Sequence, residues 1–453
     1  MKLNISLIKS TLVAALGGFL FGFDTAVIAG VTSAVQEIFN LSDSMLGFTV
    51  ASALIGTFIG ALAVGKPGDT YGRRACLKLM GLLFFVSAAG CAIAWDLYSL
   101  VFFRFLGGLG VGGASVLGPM YIAEISPARW RGRLVMLFQF NVVIGVLSAY
   151  FSNFIVGLFD LGLYEWRWKL GIEALPAALF FLMLYFIPRS PRWLVKRQKV
   201  DEAREVLVSI GEENVEDELQ EIIKSIYTPG GRTDEPLFQK KYSMPIFLAV
   251  SIAFFNQVSG INGILYYLND IFSAAGFGKL SSDLQAVAIG ATNLVFTIVA
   301  MSTIDRVGRK KLLLIGSVGT ALSLAGVAVI FLLNQYQQYL VVLLISFIGF
   351  FGLSQGAVIW VYISEVFPNR VRAKGQSIGT FTHWFMCAVV SWTFPVFAKN
   401  YGGYTFVLFS LMIVAQFFVV LFVYPETKGI TLEQLQKKLG IQDETIDAET
   451  TGS

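Results

Sequence analysis

At 453 residues, with 55% apolar and 14% charged residues and a mean hydropathy of +0.69, the chain is too apolar for a water-soluble protein of its size and is expected in a bilayer. Its net charge of +4 reflects an uneven spread of 34 Lys and Arg along the chain and is no nucleic-acid footprint, so no nucleic-acid partner is predicted. Cys76, Cys91 and Cys387 are scattered and His383 is the single histidine, which offers neither a thiol pair nor a metal cluster; no metal, cofactor or catalytic residue is predicted.

Lys2 and Lys9 precede a first apolar span starting near Thr11, which runs to full length without a small-residue cleavage site and so reads as a retained span. Further spans begin near Leu46, Leu77, Leu97, Leu134 and Trp168, then near Met244, Leu284, Leu312, Leu340, Gly375 and Tyr404. Each is about 20 residues, enough for a helix to cross ~30 Å of hydrocarbon. The expected fold is an all-α membrane protein of twelve transmembrane helices in two pseudo-symmetric six-helix bundles. Residues 1–188 make the first bundle, 189–241 a cytoplasmic helical linker, 242–424 the second bundle and 425–453 a cytoplasmic tail.

In the linker, Ala203, Val206, Leu207 and Ile210, then Leu219, Ile222, Ile223 and Ile226, recur at the spacing of helices with one buried face, predicting two or three short helices under the spans. Beyond Pro425, Thr431 with Gln434 fits a capping box opening one more helix, and the acidic stretch after Gln442 reads as disordered. Roughly 29 of the basic residues fall on the side of the termini, which places both termini in the cytoplasm. Only Arg167, Lys169, Lys279 and Lys399 fall on the opposite face, and Arg104 lies inside a span. A multi-pass protein of a cell membrane, plasma or bacterial inner, is expected.

The run Gly65, Asp69, Gly72, Arg73, Arg74 recurs about 236 positions later as Asp305, Gly308, Arg309, Lys310. Glu124, Pro127 and Arg131 are matched in the same way by Glu365, Pro368 and Arg372. Two paired signatures at nearly one offset make one half a copy of the other, and in a membrane protein such duplication points first to transport. The glycine cluster Gly107, Gly108, Gly110, Gly112, Gly113 suits close helix packing in lipid.

Asp24 is the most informative side chain. An ionised carboxylate in mid-span costs ~2.5–3.5 kcal/mol on insertion scales, so it needs a partner or a proton. Counting ~1.5 Å per residue from the span ends puts Arg104 at the same depth as Asp24, either as a permanent structural ion pair or as a proton-coupling pair whose affinity for a proton changes when the helices move. Gln139, Asn256, Gln257, Asn262 and Asn293 sit in otherwise apolar spans, with Trp360 and Trp384 near the ends of theirs. Amides donate and accept, and aromatic faces stack on C–H groups, so this set suits a neutral polyol better than an organic acid.

These signatures, with Phe21-Gly-Phe-Asp24, Pro119-Met-Tyr, Trp166-Arg-Trp, Ser190-Pro-Arg-Trp193, Gln257-Val-Ser-Gly-Ile-Asn262 and Pro425-Glu-Thr-Lys-Gly429, make the whole chain similar to the sugar porter family of the major facilitator superfamily. The resemblance implies a central monosaccharide site open alternately to each side. It implies substrate-binding roles for Phe21, Gln139, Asn256, Gln257, Asn262, Asn293, Trp360, His383 and Trp384. Tyr266 and Tyr267 would gate or line the path. Asp69, Arg73, Glu124, Arg131, Asp305, Arg309, Glu365 and Arg372 would form a cytoplasmic charge network that holds the outward-facing state. An acid at Asp24 is the mark of the proton-linked members, whereas uniporters carry an amide there.

Departures from the family pattern bear on the site. Asn256 stands for a more usual Gln, Val146 for an amide, Ala357 for a proline, and His383 for Asn or Gln, so His383 is either an interior residue or a sugar contact. In the charge network, Thr70 and Arg189 replace an Arg and an acid. The expected function is proton-coupled symport of a neutral pentose or hexose, with a sugar uniporter or a non-transporting sugar sensor as alternatives and an enzyme excluded. Sensors of the family commonly carry a long signalling extension, against about 24 residues after Gly429 here. The predicted partners are the sugar, the proton and the lipid bilayer, with no obligate protein partner.

Overall fold

The computed structural model describes residues 4–212, 214–227, 235–368, 370–430, 432–439 and 441, and among them every regular element is helical. The capping residue Thr431 and the tail after Gln442 lie outside the described residues. In chain order the helices are α1 (Ile5–Val27), α2 (Thr32–Ile38), α3 (Asp43–Ala63), α4 (Gly65–Tyr71), α5 (Arg73–Ile93), α6 (Leu97–Ile125) and α7 (Ala128–Gly157). Short helices α8 (Glu165–Gly171), α9 (Ala174–Met183), α10 (Pro191–Lys196), α11 (Val200–Ser209) and α12 (Val215–Tyr227) follow. Next come α13 (Ser243–Val258), α14 (Ile261–Tyr266), α15 (Leu268–Ala274), α16 (Lys279–Val307) and α17 (Arg309–Leu333). The last are α18 (Leu340–Phe351), α19 (Ala357–Glu365), α20 (Arg372–Tyr401), α21 (Gly403–Phe422) and α22 (Leu432–Lys438).

Eleven helical stretches among the described residues are long and apolar enough to cross a membrane. The predicted span near Trp168 is not one of them, because it is built as two pieces, α8 and α9, that meet at Ile172 and Glu173. Local chemistry sets several starts. Asn4 caps α1 through Ser6 N at 2.8 Å, and Asp96 and Ser99 make a reciprocal capping box on α6. Ser190 caps α10 with Pro191 in the first turn, where the missing N–H costs nothing, which explains the Ser190-Pro-Arg-Trp193 motif locally. Pro119 inside α6 and Pro395 inside α20 each remove one helical hydrogen bond.

The chain divides into two compact units. The first comprises Met1–Gly231, Asn262–Leu294 and Ala388–Asn400; the second comprises Arg232–Ile261, Val295–Cys387 and Tyr401–Ser453. Two stretches from the second half of the sequence therefore belong with the first half.

In the first unit α1 packs on α7, and α3 and α5 both pack on α6. The approach of α3 to α6 requires glycine, since a Cβ on Gly108 or Gly112 would lie 1.9 or 2.0 Å from the carbonyl oxygens of Ala53 or Thr57. The segment expected to link the bundles supplies three helices, α10 to α12. Ala203, Leu207, Ile210, Leu219 and Ile222, the face expected from periodicity, are buried in the same core as Leu7, Val13 and Leu20 of α1.

In the second unit α17 packs on α18 and α21, and α13 on α19 and α21. Tyr362 and Tyr424 stack at 5.2 Å, and the Tyr424 hydroxyl meets Ser251 Oγ at 2.8 Å. Between α18 and α19 the helix widens into a π turn over Gly352–Gly356, the stretch that ends beside Ala357.

Candidate functional site

The first unit holds a buried ionic group. The α1–α7 and α1–α6 packing brings the last turn of α1 against α6, and Arg104 Nη1 donates to Asp24 Oδ1 at 3.0 Å and to the Asp24 carbonyl at 3.4 Å. The side chains are 3% and 6% exposed, so the pair is removed from bulk water. A third ionisable group joins them. Glu173, at the junction of α8 and α9, is buried, lies within electrostatic reach of both Asp24 and Arg104, and leaves its Oε1 without a hydrogen-bond partner among the described residues.

Sequence reasoning missed Glu173. The signal was present, since it is an acid within an apolar run, the same anomaly that singled out Asp24. Beside the pair lies a cavity of about 10 Å³, close to what one water needs, lined in part by Asp24, Thr25, Thr57, Arg104 and Tyr266.

The remaining candidates of this unit are less closely grouped. Tyr266 and Tyr267 are buried; the Tyr267 hydroxyl donates to the Ser391 carbonyl at 3.0 Å and its ring stacks on Phe394 at 5.3 Å. Phe21, Asn262 and Asn293 are half-buried, and Gln139 is exposed.

In the second unit five candidates meet. Gln257 Nε2 donates to Asn256 Oδ1 at 2.9 Å and lies 3.3 Å from His383 Nδ1. The imidazole stands 4.8 Å from the Trp360 ring and 5.1 Å from the Trp384 ring. Asn256, Gln257 and Trp384 are buried, while Trp360 is exposed along one side. The Gln257-to-Asn262 motif also breaks the helix. α13 stops at Val258, Ser259 Oγ donates back to the Asn256 carbonyl at 2.6 Å, and Gly260 takes a φ of +81° before α14 resumes. Such discontinuous helices free backbone polar groups at membrane depth, a recurrent feature of transporter binding sites.

The duplicated signatures build equivalent turns, one in each unit. In the first, Arg73 binds Asp69 Oδ1 at 2.6 Å and Glu124 Oε1 at 3.0 Å. In the second, Arg309 binds Asp305 Oδ1 at 3.0 Å and Glu365 Oε1 at 2.9 Å. Gly72 and Gly308 head α5 and α17 with φ of +92° and +103°, which explains the glycine in both copies. Arg131 and Arg372 point elsewhere and donate to carbonyls, Arg131 to Ala123 at 3.1 Å and Arg372 to Phe367 at 3.3 Å.

The copies also differ. Trp193 of the linker lies against Gly72, whereas Gly308 faces Glu426, whose carboxylate accepts from Arg309 N at 2.9 Å and Lys310 N at 3.1 Å at the start of α17. The motifs around Trp193 and Glu426 are thus two different covers for one repeated turn.

The family model for "Sugar (and other) transporter" matches residues 10–439 of this chain. A D-xylose-proton symporter of Escherichia coli (strain K12) is 36% identical, over 94% of this chain and 94% of its own. An arabinose-proton symporter of Bacillus subtilis (strain 168) is 35% identical, over 94% of this chain and 93% of its own. Among solved structures, the inward-open conformation of the xylose transporter XylE from E. coli superposes with a TM-score of 0.85 at 36% identity, covering 95% of this chain and 99% of that one.

Proposed function

This chain belongs to the sugar (and other) transporter family, the sugar porters of the major facilitator superfamily, and on that premise we propose that it carries a neutral monosaccharide, a pentose or hexose, with a proton by alternating access. It is a multi-pass membrane protein and a transporter, not an enzyme. The observation that carries the proton-linked reading is the buried Asp24–Arg104 pair with Glu173 beside it. Two carboxylates lie within electrostatic reach of one guanidinium there, so with both ionised, taking up one proton leaves the trio electrically neutral. A neutral group moves through low dielectric far more readily than a charged one, and this is how proton occupancy selects the conformations open to the protein. A uniporter needs no titratable group at this depth.

By the family pattern the substrate-binding roles fall to Asn256, Gln257, Trp360, His383 and Trp384 in the second unit, and to Phe21, Gln139, Asn262 and Asn293 in the first. Amides and ring faces suit hydroxyls and C–H faces, and several hydrogen bonds at ~0.5–1.5 kcal/mol each are required for useful affinity. Tyr266 and Tyr267 act as gate residues in this reading. The two Arg-centred turns act as latches of the cytoplasmic face, both termini are cytoplasmic, and residues 1–188 and 242–424 act as the two bundles of the cycle, with 189–241 as linker and 425–453 as tail. The membrane is the cell membrane.

One proton moving down 100 mV supplies ~2.3 kcal/mol, enough for roughly fifty-fold accumulation of a neutral solute. Radiolabelled uptake into proteoliposomes, over a panel of pentoses, hexoses and inositol, tests this. An imposed pH gradient is expected to drive accumulation of at least one pentose or hexose above the external level. Equal final levels with and without the gradient would make the protein a uniporter.

A further inference from the structure

The face opposite the termini carries few basic side chains, and three of them join stretches that are distant in sequence yet belong to the first unit. Lys169 of α8 binds Asp283 of α16 at 3.2 Å, Lys279 of α16 binds Glu165 of α8 at 2.6 Å, and Lys399 of α20 binds Asp43 of α3 at 2.9 Å. The first differs in kind from the other two. Lys169 and Asp283 are each 1% exposed, whereas Lys279 and Lys399 are each 68% exposed, against acids that are 6% and 23% exposed.

Lys169 has three N–H groups and three acceptors, namely Glu165 Oε1 at 2.9 Å, the Gly30 carbonyl at 3.1 Å and Asp283 Oδ2 at 3.2 Å. The other Asp283 oxygen accepts from Asn269 Nδ2, and the other Glu165 oxygen from Lys279. Burial acts to raise the proton affinity of Glu165, but the two lysines outweigh it and hold the carboxyl below its ordinary range. The result is one continuous chain, Lys279–Glu165–Lys169–Asp283–Asn269, that ties α8 to α15 and α16.

We propose that Lys169 and Asp283 are positioning residues of the transport cycle, a buried ionic latch that keeps this face closed and is exchanged for water when the face opens. The physical case is the dependence of a buried ion pair on its surroundings. Fully hydrogen-bonded, such a pair tolerates burial; deprived of one partner, the other charge is left uncompensated and the buried state becomes strongly unfavourable. When α15 and α16 part from α8, both charges reach water and the penalty disappears. Loss of the Asp283 charge therefore burdens the closed face alone and shifts the equilibrium toward the open one. Opening and closing follow from alternating access as proposed above, but neither the sugar nor the proton enters the argument.

The test is accessibility. Ile28 lines the cavity beside Asp24 and is buried, so Ile28→Cys, in a chain whose three buried cysteines are replaced by serine, reports opening to a membrane-impermeant maleimide. Applied from the face opposite the termini, the reagent is expected to label roughly tenfold or more faster in Asp283→Asn and in Lys169→Met than in the parent. Asp283→Glu is expected to restore slow labelling, and labelling from the termini face is expected not to rise. If Asp283→Asn is not recovered in membranes, Lys279→Gln carries the test with an expected increase of roughly two- to threefold. Parent-like labelling in these variants overturns the latch, as does faster labelling from both faces, which marks simple loosening. Sugar uptake measured in the same vesicles separates failure of the latch from failure of the transport reading.

Discussion

The ionic groups of this protein fall into two kinds. In the repeated turns the arginines, 11% exposed, each bridge an acid that reaches water, Asp69 at 45% and Asp305 at 80% exposed, to one more covered, Glu124 at 13% and Glu365 at 29%. Asp24 with Arg104, and Lys169 with Asp283, are sealed from it. Exposed pairs contribute ~0–1 kcal/mol and are screened by salt, whereas breaking a buried pair by removing one partner costs ~3–5 kcal/mol. A transporter needs both kinds. Rim pairs can be remade in every cycle at little cost, while buried pairs make the energy of a conformation depend strongly on a single charge.

Mutations that move a group from one class to the other sharpen this comparison. The largest effect is expected at Arg104. Arg104→Met leaves Asp24 and Glu173 as two buried acids without a cation, and accumulation driven by a pH gradient should fall from roughly fifty-fold to unity, read as the steady-state sugar ratio in proteoliposomes. Next comes the second-unit cluster, where Gln257→Ala removes the amide that touches both Asn256 and His383. Sugar affinity should drop about tenfold by equilibrium binding, the loss expected from one or two hydrogen bonds, with coupling intact in whatever transport remains.

A smaller effect is expected in the rim. Arg309→Gln, which removes the cation that Glu365 and Asp305 share, should change uptake rates roughly three- to tenfold and lose in high salt the part owed to exposed Asp305, measured as initial rates over a range of ionic strength. The smallest belongs to Lys399→Gln, whose exposed bond to Asp43 should alter rates by no more than about twofold. An effect at Lys399 equal to that at Arg104 would erase the distinction between the classes.

Much of this was legible in the sequence because membrane helices follow composition. The spans, the duplication, the linker helices and their buried faces all follow from apolar periodicity and from charge, and the depth count that brought Asp24 to Arg104 needed only the rise of a helix. The missing parts share a cause: they depend on contacts between residues far apart in the chain. Lys169 and Asp283 are 114 positions apart, and no spacing rule links them. Glu173 falls inside the span expected from Trp168, but its approach to Asp24 and Arg104 depends on where α8 and α9 meet. The π turn at Gly352–Gly356 left no pattern in composition, and the meeting of Gln257 with His383 joins residues 126 positions apart.

The central claim is that one proton travels with the sugar by way of Asp24. Proton movement on addition of sugar to de-energised proteoliposomes, followed by external pH and compared between the parent and Asp24→Asn, tests it most directly. The account predicts external alkalinisation in the parent, and in Asp24→Asn sugar exchange that continues without any proton signal. Sugar-driven alkalinisation of undiminished size in Asp24→Asn would contradict it.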